Sequence, residues 1–196
     1  MDKDHWEKYY QKNNKPFKPS DFSKEVKNQV QTNHSLIDIG CGNGRDSIFF
    51  ARNKLITKGI DQSEITIKNL KNFENKMLQF ECVDILNLEN KSYDYGYCRF
   101  LLHSISEKEE NYLLGWLKDN INKKIFLESR LDEGKNEKQD HYRRPMNLEK
   151  FHSKLSKLNI KILDERKSKK FSIYNDSYNV SDLKSDPLLV RMVLVT

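Results

Sequence analysis

Apolar positions along this chain switch repeatedly between two periods. Leu36-Ile37-Asp38-Ile39 is a short, nearly continuous apolar run, the pattern of a parallel strand covered on both faces. Similar runs recur at 55–60, 77–83, 93–100 and 123–130. Between them lie segments with helical spacing: Ile48, Phe49 and Ala51; then Glu64 to Asn75, with Ile65, Leu70 and Phe73; then a helix to about Asn120, with Tyr112, Leu113 and Trp116 on one side. Ser106-Glu107-Lys108-Glu109 is a capping-box pattern at the start of that last helix. Upstream, Phe22, Val26 and Val30 recur every four positions and predict a helix through about Thr32, with Ser20 or Asp21 as its N-cap. Downstream, Asn147 caps a helix to about Leu158. Two final strands follow at 160–165 and 188–195, and because no helix fits between them they should pair antiparallel. The alternation predicts an α/β fold: a seven-stranded, mostly parallel sheet with helices on both faces and the last strand antiparallel.

The bulk properties narrow this only a little. A length of 196 residues suits one domain over 1–196, with 1–32 as an N-terminal lid and helix and 131–146 as a substrate loop. No run of eighteen apolar residues occurs, so no membrane span is expected, and the polar, mixed-charge N-terminus is no secretory signal. The three cysteines at 41, 82 and 98 form no C-x-x-C pair, which argues against a disulfide framework or structural zinc and for a reduced, cytoplasmic setting. No metal is expected. The net charge of +6 and pI near 9.0 fit an anionic small molecule, nucleic acid or plain solubility. Nucleic acid is the weaker reading, since the positive charge is spread along the chain and no nucleic-acid-binding motif occurs.

The chemistry concentrates where the first strand ends. Asp38-Ile39-Gly40-Cys41-Gly42-Asn43-Gly44-Arg45 places three glycines at alternate positions between a strand and a helix, the layout of a nucleotide-binding crevice. The spacing is G-x-G-x-G, unlike that of dinucleotide binders. At these residues the chain resembles the class I S-adenosylmethionine (SAM)-dependent methyltransferases, especially small bacterial members such as the tellurite-resistance methyltransferases. The resemblance implies a Rossmann-like fold, SAM as methyl donor and S-adenosylhomocysteine as product. It assigns to the cofactor Asp38, Gly40, Cys41, Gly42, Asn43, Arg45 and Asp46 around the bend, and Arg99 at the end of strand four. Asp61-Gln62-Ser63 resembles the second motif, whose acid takes the ribose hydroxyls, and Asp84-Ile85 the third, which takes adenine.

For the acceptor, His103 just past strand four is the candidate base, and Tyr10 is a partner that could share or orient the proton. Trp6, Tyr9 and Tyr10 belong to an aromatic N-terminal segment that lies over the crevice in similar methyltransferases. A partial likeness to phosphoethanolamine methyltransferases fails at Phe100, where those carry aspartate, and this argues against a cationic amine as acceptor. Arg130, Arg143 and Arg144, with His141 and Tyr142, form a set of donors suited to phosphate or carboxylate. The expected activity is methyl transfer to O or N of a small anionic molecule, phosphorylated, carboxylated or nucleotide-linked, such as a sugar or surface-polysaccharide precursor. The rival readings are an RNA or DNA methyltransferase, although the motif of amino-methylating DNA enzymes is absent after strand four, and a non-catalytic SAM-binding partner protein. Monomer and homodimer both remain open.

Overall fold

A computed structural model describes residues 3–12, 18–134, 142–172 and 187–196. Its centre is a seven-stranded sheet in the order β3-β2-β1-β4-β5-β7-β6. The strands are β1 (Ser35–Ile39), β2 (Ile56–Asp61), β3 (Leu78–Cys82), β4 (Tyr93–Arg99), β5 (Ile121–Arg130), β6 (Lys161–Ser168) and β7 (Leu189–Val195). β1 through β5 pair in parallel, whereas β7 is antiparallel to both β5 and β6. The order reverses at β1, so a crevice opens at the carboxyl ends of β1 and β4, where ligands of such sheets bind.

Among the described residues six helices flank the sheet: α1 (Lys3–Lys12), α2 (Asp21–Lys27), α3 (Arg45–Arg52), α4 (Glu64–Leu70), α5 (Glu107–Asn120) and α6 (Leu148–Lys157). One face carries a large core built from Ile37, Cys98, Leu113, Leu117, Leu127 and Phe151 with their neighbours. The other packs Phe22, Val26 and Phe50 over Leu36, Tyr95, Tyr97 and Phe126. Ser20, Ser63, Ser106 and Asn147 cap α2, α4, α5 and α6 through their side chains, and Ser106 and Glu109 complete the capping box.

Three boundaries differ from the sequence reading. Residues 3–12 form a helix, which that reading treated as lid without assigning an element. α2 stops at Lys27, with Asn28 as its C-cap, so Val30 reaches the core from the following turn rather than from the helix stripe. α4 ends at Leu70 and tightens into a 3-10 turn over Lys71–Phe73. There the Glu74 carboxylate accepts from the Phe80 N–H at 2.6 Å and from Lys71 at 2.9 Å, turning the chain into β3.

A row of charge crosses the sheet beneath the crevice. Arg99 on β4, Glu128 on β5, Arg191 on β7 and Arg166 on β6 are register partners in sequence across the ladder. Glu128, 1 % exposed, accepts from Arg99 at 2.8 Å and from Arg191 at 2.5 Å. Glu25 of α2 bonds Arg191 and Arg166 from above. Each buried charge therefore has a partner, which is the condition for carrying ions in a core.

Candidate active site

Gly40, Gly42 and Gly44 have φ of +75°, +53° and +73°, a left-handed region that side chains disfavour, so the alternating glycines allow the bend. The Gly40 and Cys41 N–H groups both donate to the Ile60 carbonyl at 2.9 Å, locking the bend onto β2. The Gly42 N–H donates to Asp61 Oδ2 and the Ser63 N–H to Asp61 Oδ1, each at 3.0 Å. Burial nevertheless raises the Asp61 carboxyl above the usual range, outweighing these donors. Asp38, buried at the end of β1, accepts from Ser47 Oγ at 2.5 Å. Burial pushes its carboxyl up to about 8; the Ser47 bond opposes this, and Asp46 and Asp61 add to it.

Asp46 behaves in the opposite way. Burial works against its charge, but Arg99, Arg45 and the Ser20 donors outweigh it and hold the carboxyl low. Its oxygens accept from the Ser20 N–H and Oγ at 2.8 Å and from Tyr97 Oη at 2.9 Å. Asp46 thus ties the start of α2 to α3 and β4, while Arg45 lies 3.9 Å from it.

Helix α1 packs against α4 over this bend. Glu7 accepts from Ser63 Oγ and from the Glu64 N–H, both at 3.0 Å, at the start of α4. The Tyr10 hydroxyl rests on Gly42, where an alanine Cβ would overlap it. Trp6 stacks on Tyr10 at 5.9 Å and meets Tyr9 edge-on at 5.7 Å.

At the ends of β4 and β5 the groups converge on Phe100. The Arg99 guanidinium lies 4.1 Å from the ring centroid and that of Arg130 5.9 Å, while the His103 ring meets it edge-on at 5.6 Å. His103 is 4 % exposed, in the 3-10 turn Leu102–Ser104. Arg130 Nε is buried without a hydrogen-bond partner, and Arg130 forms no ion pair among the described residues. Arg144 is drawn elsewhere. Its N–H donates to the His103 carbonyl at 2.7 Å, its Nε to the Ile105 carbonyl at 3.3 Å, and its guanidinium pairs with buried Glu110. Lys154 of α6 bonds the same glutamate at 2.6 Å. The expected forked set is therefore divided: Arg130 faces Phe100, whereas Arg144 braces the turn that carries His103. Tyr142 is exposed and Arg143 half-buried beside it. His141 lies outside the described residues.

A family profile described as a methyltransferase domain matches residues 36–119, the span from β1 to α5. Among solved structures, a TehB-like SAM-dependent methyltransferase from Corynebacterium glutamicum superposes with a TM-score of 0.72 at 12% identity, covering 98% of each chain. Residues 36–119 thus carry a methyltransferase domain, on a fold shared with SAM-dependent methyltransferases. The 1,6-didemethyltoxoflavin-N1-methyltransferase of Burkholderia thailandensis, solved with its substrate and S-adenosylhomocysteine, gives a TM-score of 0.66 at 14% identity over 88% of this chain and 75% of that one. The [4+2]-cyclase SpnF gives 0.68 at 15% over 88% and 78%, so this fold also carries other chemistry. No curated protein sequence matches the chain.

The methyltransferase domain implies SAM as cofactor, and the residues at the bend fit it. Gln62 Nε2 is buried with its hydrogen-bonding capacity unused, next to the Asp61 carboxylate, whose oxygens each retain a lone pair beyond the backbone bonds. The left-handed glycines leave the backbone at Gly40 and Gly42 bare of Cβ, with Leu101 and the Tyr10 hydroxyl resting on it. Asn43 is half-buried in the bend. Other assigned positions sit differently. Cys41 packs its thiol into a small core with Ile48 and Ile67, and Ile85 is 5 % exposed in the main core. Asp84 is exposed and spends one oxygen capping the turn Ile85–Asn87 through the Leu86 N–H at 2.8 Å. The sequence reading did not single out Glu7, Glu110 or Phe100 as site residues. Only Phe100 left a signal there, an aromatic where the related enzymes carry aspartate.

Proposed function

We propose that this methyltransferase methylates an oxygen or nitrogen of a small anionic acceptor bound between the ends of β4 and β5. The observation that carries the reading is Arg130: a guanidinium with a buried, unpartnered Nε and no counter-ion among the described residues. Such a group calls for an anion to complete it.

SAM, when bound, supplies a methyl group on a sulfonium, so the protein's task is to position the acceptor and receive its proton. Asp61, Gln62 and the bend at Gly42 would hold the adenosyl portion, and Asp38 would face the donor's positive charge. Burial of Asp38 in a low-dielectric pocket strengthens that attraction. His103 would accept the acceptor's proton, with Arg144 and Glu110 fixing its backbone. Tyr10, on Gly42, would close the crevice with Trp6 and Tyr9 and exclude water. Among the described residues no helix is long and apolar enough to span a membrane, in keeping with an enzyme acting on dissolved metabolites in the cytoplasm.

The test is transfer of labelled methyl from SAM into fractionated small-molecule and RNA pools. Label in small anionic compounds, lost in Arg130→Met while SAM binding persists, is the expected outcome. Label in RNA, or transfer indifferent to Arg130, overturns the reading.

A further inference from the structure

Phe100 is conformationally out of place. Its φ of +57° is a left-handed conformation that a bulky residue disfavours and that glycine or asparagine would adopt with less strain. The surroundings enforce it. The Phe100 N–H donates to the Glu128 carbonyl at 2.8 Å, carrying the β4–β5 pairing one residue past β4. Strain of this kind persists where a site requires it. Here the strained residue is a phenyl ring between two guanidinium groups and an imidazole.

The two arginines at this ring are not equivalent. Arg99 is neutralised by Glu128, which holds it at 2.8 Å. Arg130 is about as far from the ring as a cation–π contact allows, and its buried Nε has no partner. The ends of β4 and β5 thus present one apolar ring with one unspent fork of N–H donors at its side. We propose that Phe100 and Arg130 together select a flat aromatic acceptor bearing a carboxylate, with Phe100 against its ring and Arg130 on its carboxylate. This rests on the methyl-transfer reading above and names the acceptor class within it.

Chemistry separates this acceptor from the others. A carboxylate presents two coplanar oxygens to the planar guanidinium fork. An aromatic ring gains offset-stacked or edge contact with Phe100. A phosphorylated sugar would offer the phenyl ring a puckered C–H face in place of a flat ring, and a cationic amine would meet Arg130 head-on. The hydroxyl or amine to be methylated sits on the same ring, within reach of His103, which touches Phe100 from the side. For a phenolic acceptor the O–H proton passes to the His103 imidazole and the oxygen lone pair forms the new O–CH3 bond. The electron pair of the broken S–CH3 bond stays on sulfur.

Binding tests this without turnover. The protein saturated with S-adenosylhomocysteine is titrated calorimetrically with 4-hydroxybenzoate, glucose 1-phosphate and phosphoethanolamine. The expected result is binding of the hydroxybenzoate alone, about tenfold weaker in Arg130→Met and weakened in Phe100→Leu. Affinity for S-adenosylhomocysteine should be unchanged in both variants. Phe100→Tyr keeps the ring and should keep the binding, which guards against misfolding of the leucine variant. Failure of 4-hydroxybenzoate to bind, or binding indifferent to both substitutions, overturns the proposal. If glucose 1-phosphate binds through Arg130 and ignores Phe100, the aromatic selection is wrong while an anionic acceptor stands. If S-adenosylhomocysteine itself does not bind, the methyl-transfer reading fails first.

Discussion

Ser47 Oγ donates to Asp38 Oδ2 at 2.5 Å, joining the first helical turn after the glycine bend to the acid that closes β1. This bond counteracts only part of the cost of burying Asp38, whose carboxyl is pushed up to about 8. The folded protein therefore holds a proton on Asp38 that the unfolded chain has released above the ordinary carboxylate value. Between that value and about pH 8 the folded state binds more protons than the unfolded one, so this group's contribution to stability falls as pH rises through that window. Asp38→Asn removes the dependence: thermal melts of the ligand-free variant should lose less stability between pH 5 and 8.5 than the parent. Parallel curves would show that Asp38 is already ionised.

The same proton is linked to the donor. A cationic ligand beside Asp38 favours its charged form, so SAM binding at pH 7 should release a proton. Calorimetry in buffers of different ionisation enthalpy should show up to about one proton released, and Asp38→Asn should abolish it. Buffer-independent heats in the parent would contradict this.

Gly42 lies under Tyr10. Alanine there meets two obstacles, the φ of +53° and the Tyr10 hydroxyl. Gly42→Ala should cost roughly 1–3 kcal/mol of stability and weaken SAM binding. Adding Tyr10→Phe removes the hydroxyl and should recover part of the loss, whereas strictly additive losses would place Tyr10 away from the bend.

Glu128 holds Arg99 and Arg191 in the interior. Replacing it by alanine takes this partner from Arg99 and leaves Arg191 with Glu25 alone, and should cost about 3–5 kcal/mol, read as a large fall in Tm. A change below about 1 kcal/mol would mean the row is solvated.

Arg130 and Arg144 should now part company. Arg144→Ala breaks the brace to Ile105 and Glu110, lowering both stability and kcat through His103. Arg130→Met should leave the fold intact and act on acceptor binding alone. Equal effects on the KM of the acceptor would return both arginines to a single anion pocket.

The sequence made part of this visible. Local signals were clear: the apolar run at Leu36–Ile39, the alternating glycines, the caps at Ser63, Ser106 and Asn147, and two closing strands too near for a helix between them. Long-range pairings left no such mark. Arg144 could equally have faced a ligand, because its partner Glu110 is 34 residues away in the chain. Glu25, Glu128 and Arg191 lie far apart in the chain, and only the folded sheet and α2 bring them together. The α4 stop at Leu70 depends on Glu74 meeting Phe80 across a turn, which helical periodicity does not encode. The strain at Phe100 arises from β4–β5 pairing and has no local signature.

Titration of the purified protein with SAM and S-adenosylhomocysteine tests the central claim most directly. The account predicts saturable binding of one molecule per chain and a rise in Tm corresponding to about 2.7 kcal/mol at a hundredfold excess over Kd, both weakened by Asp61→Ala. Absence of heat and of thermal stabilisation with both compounds would contradict it.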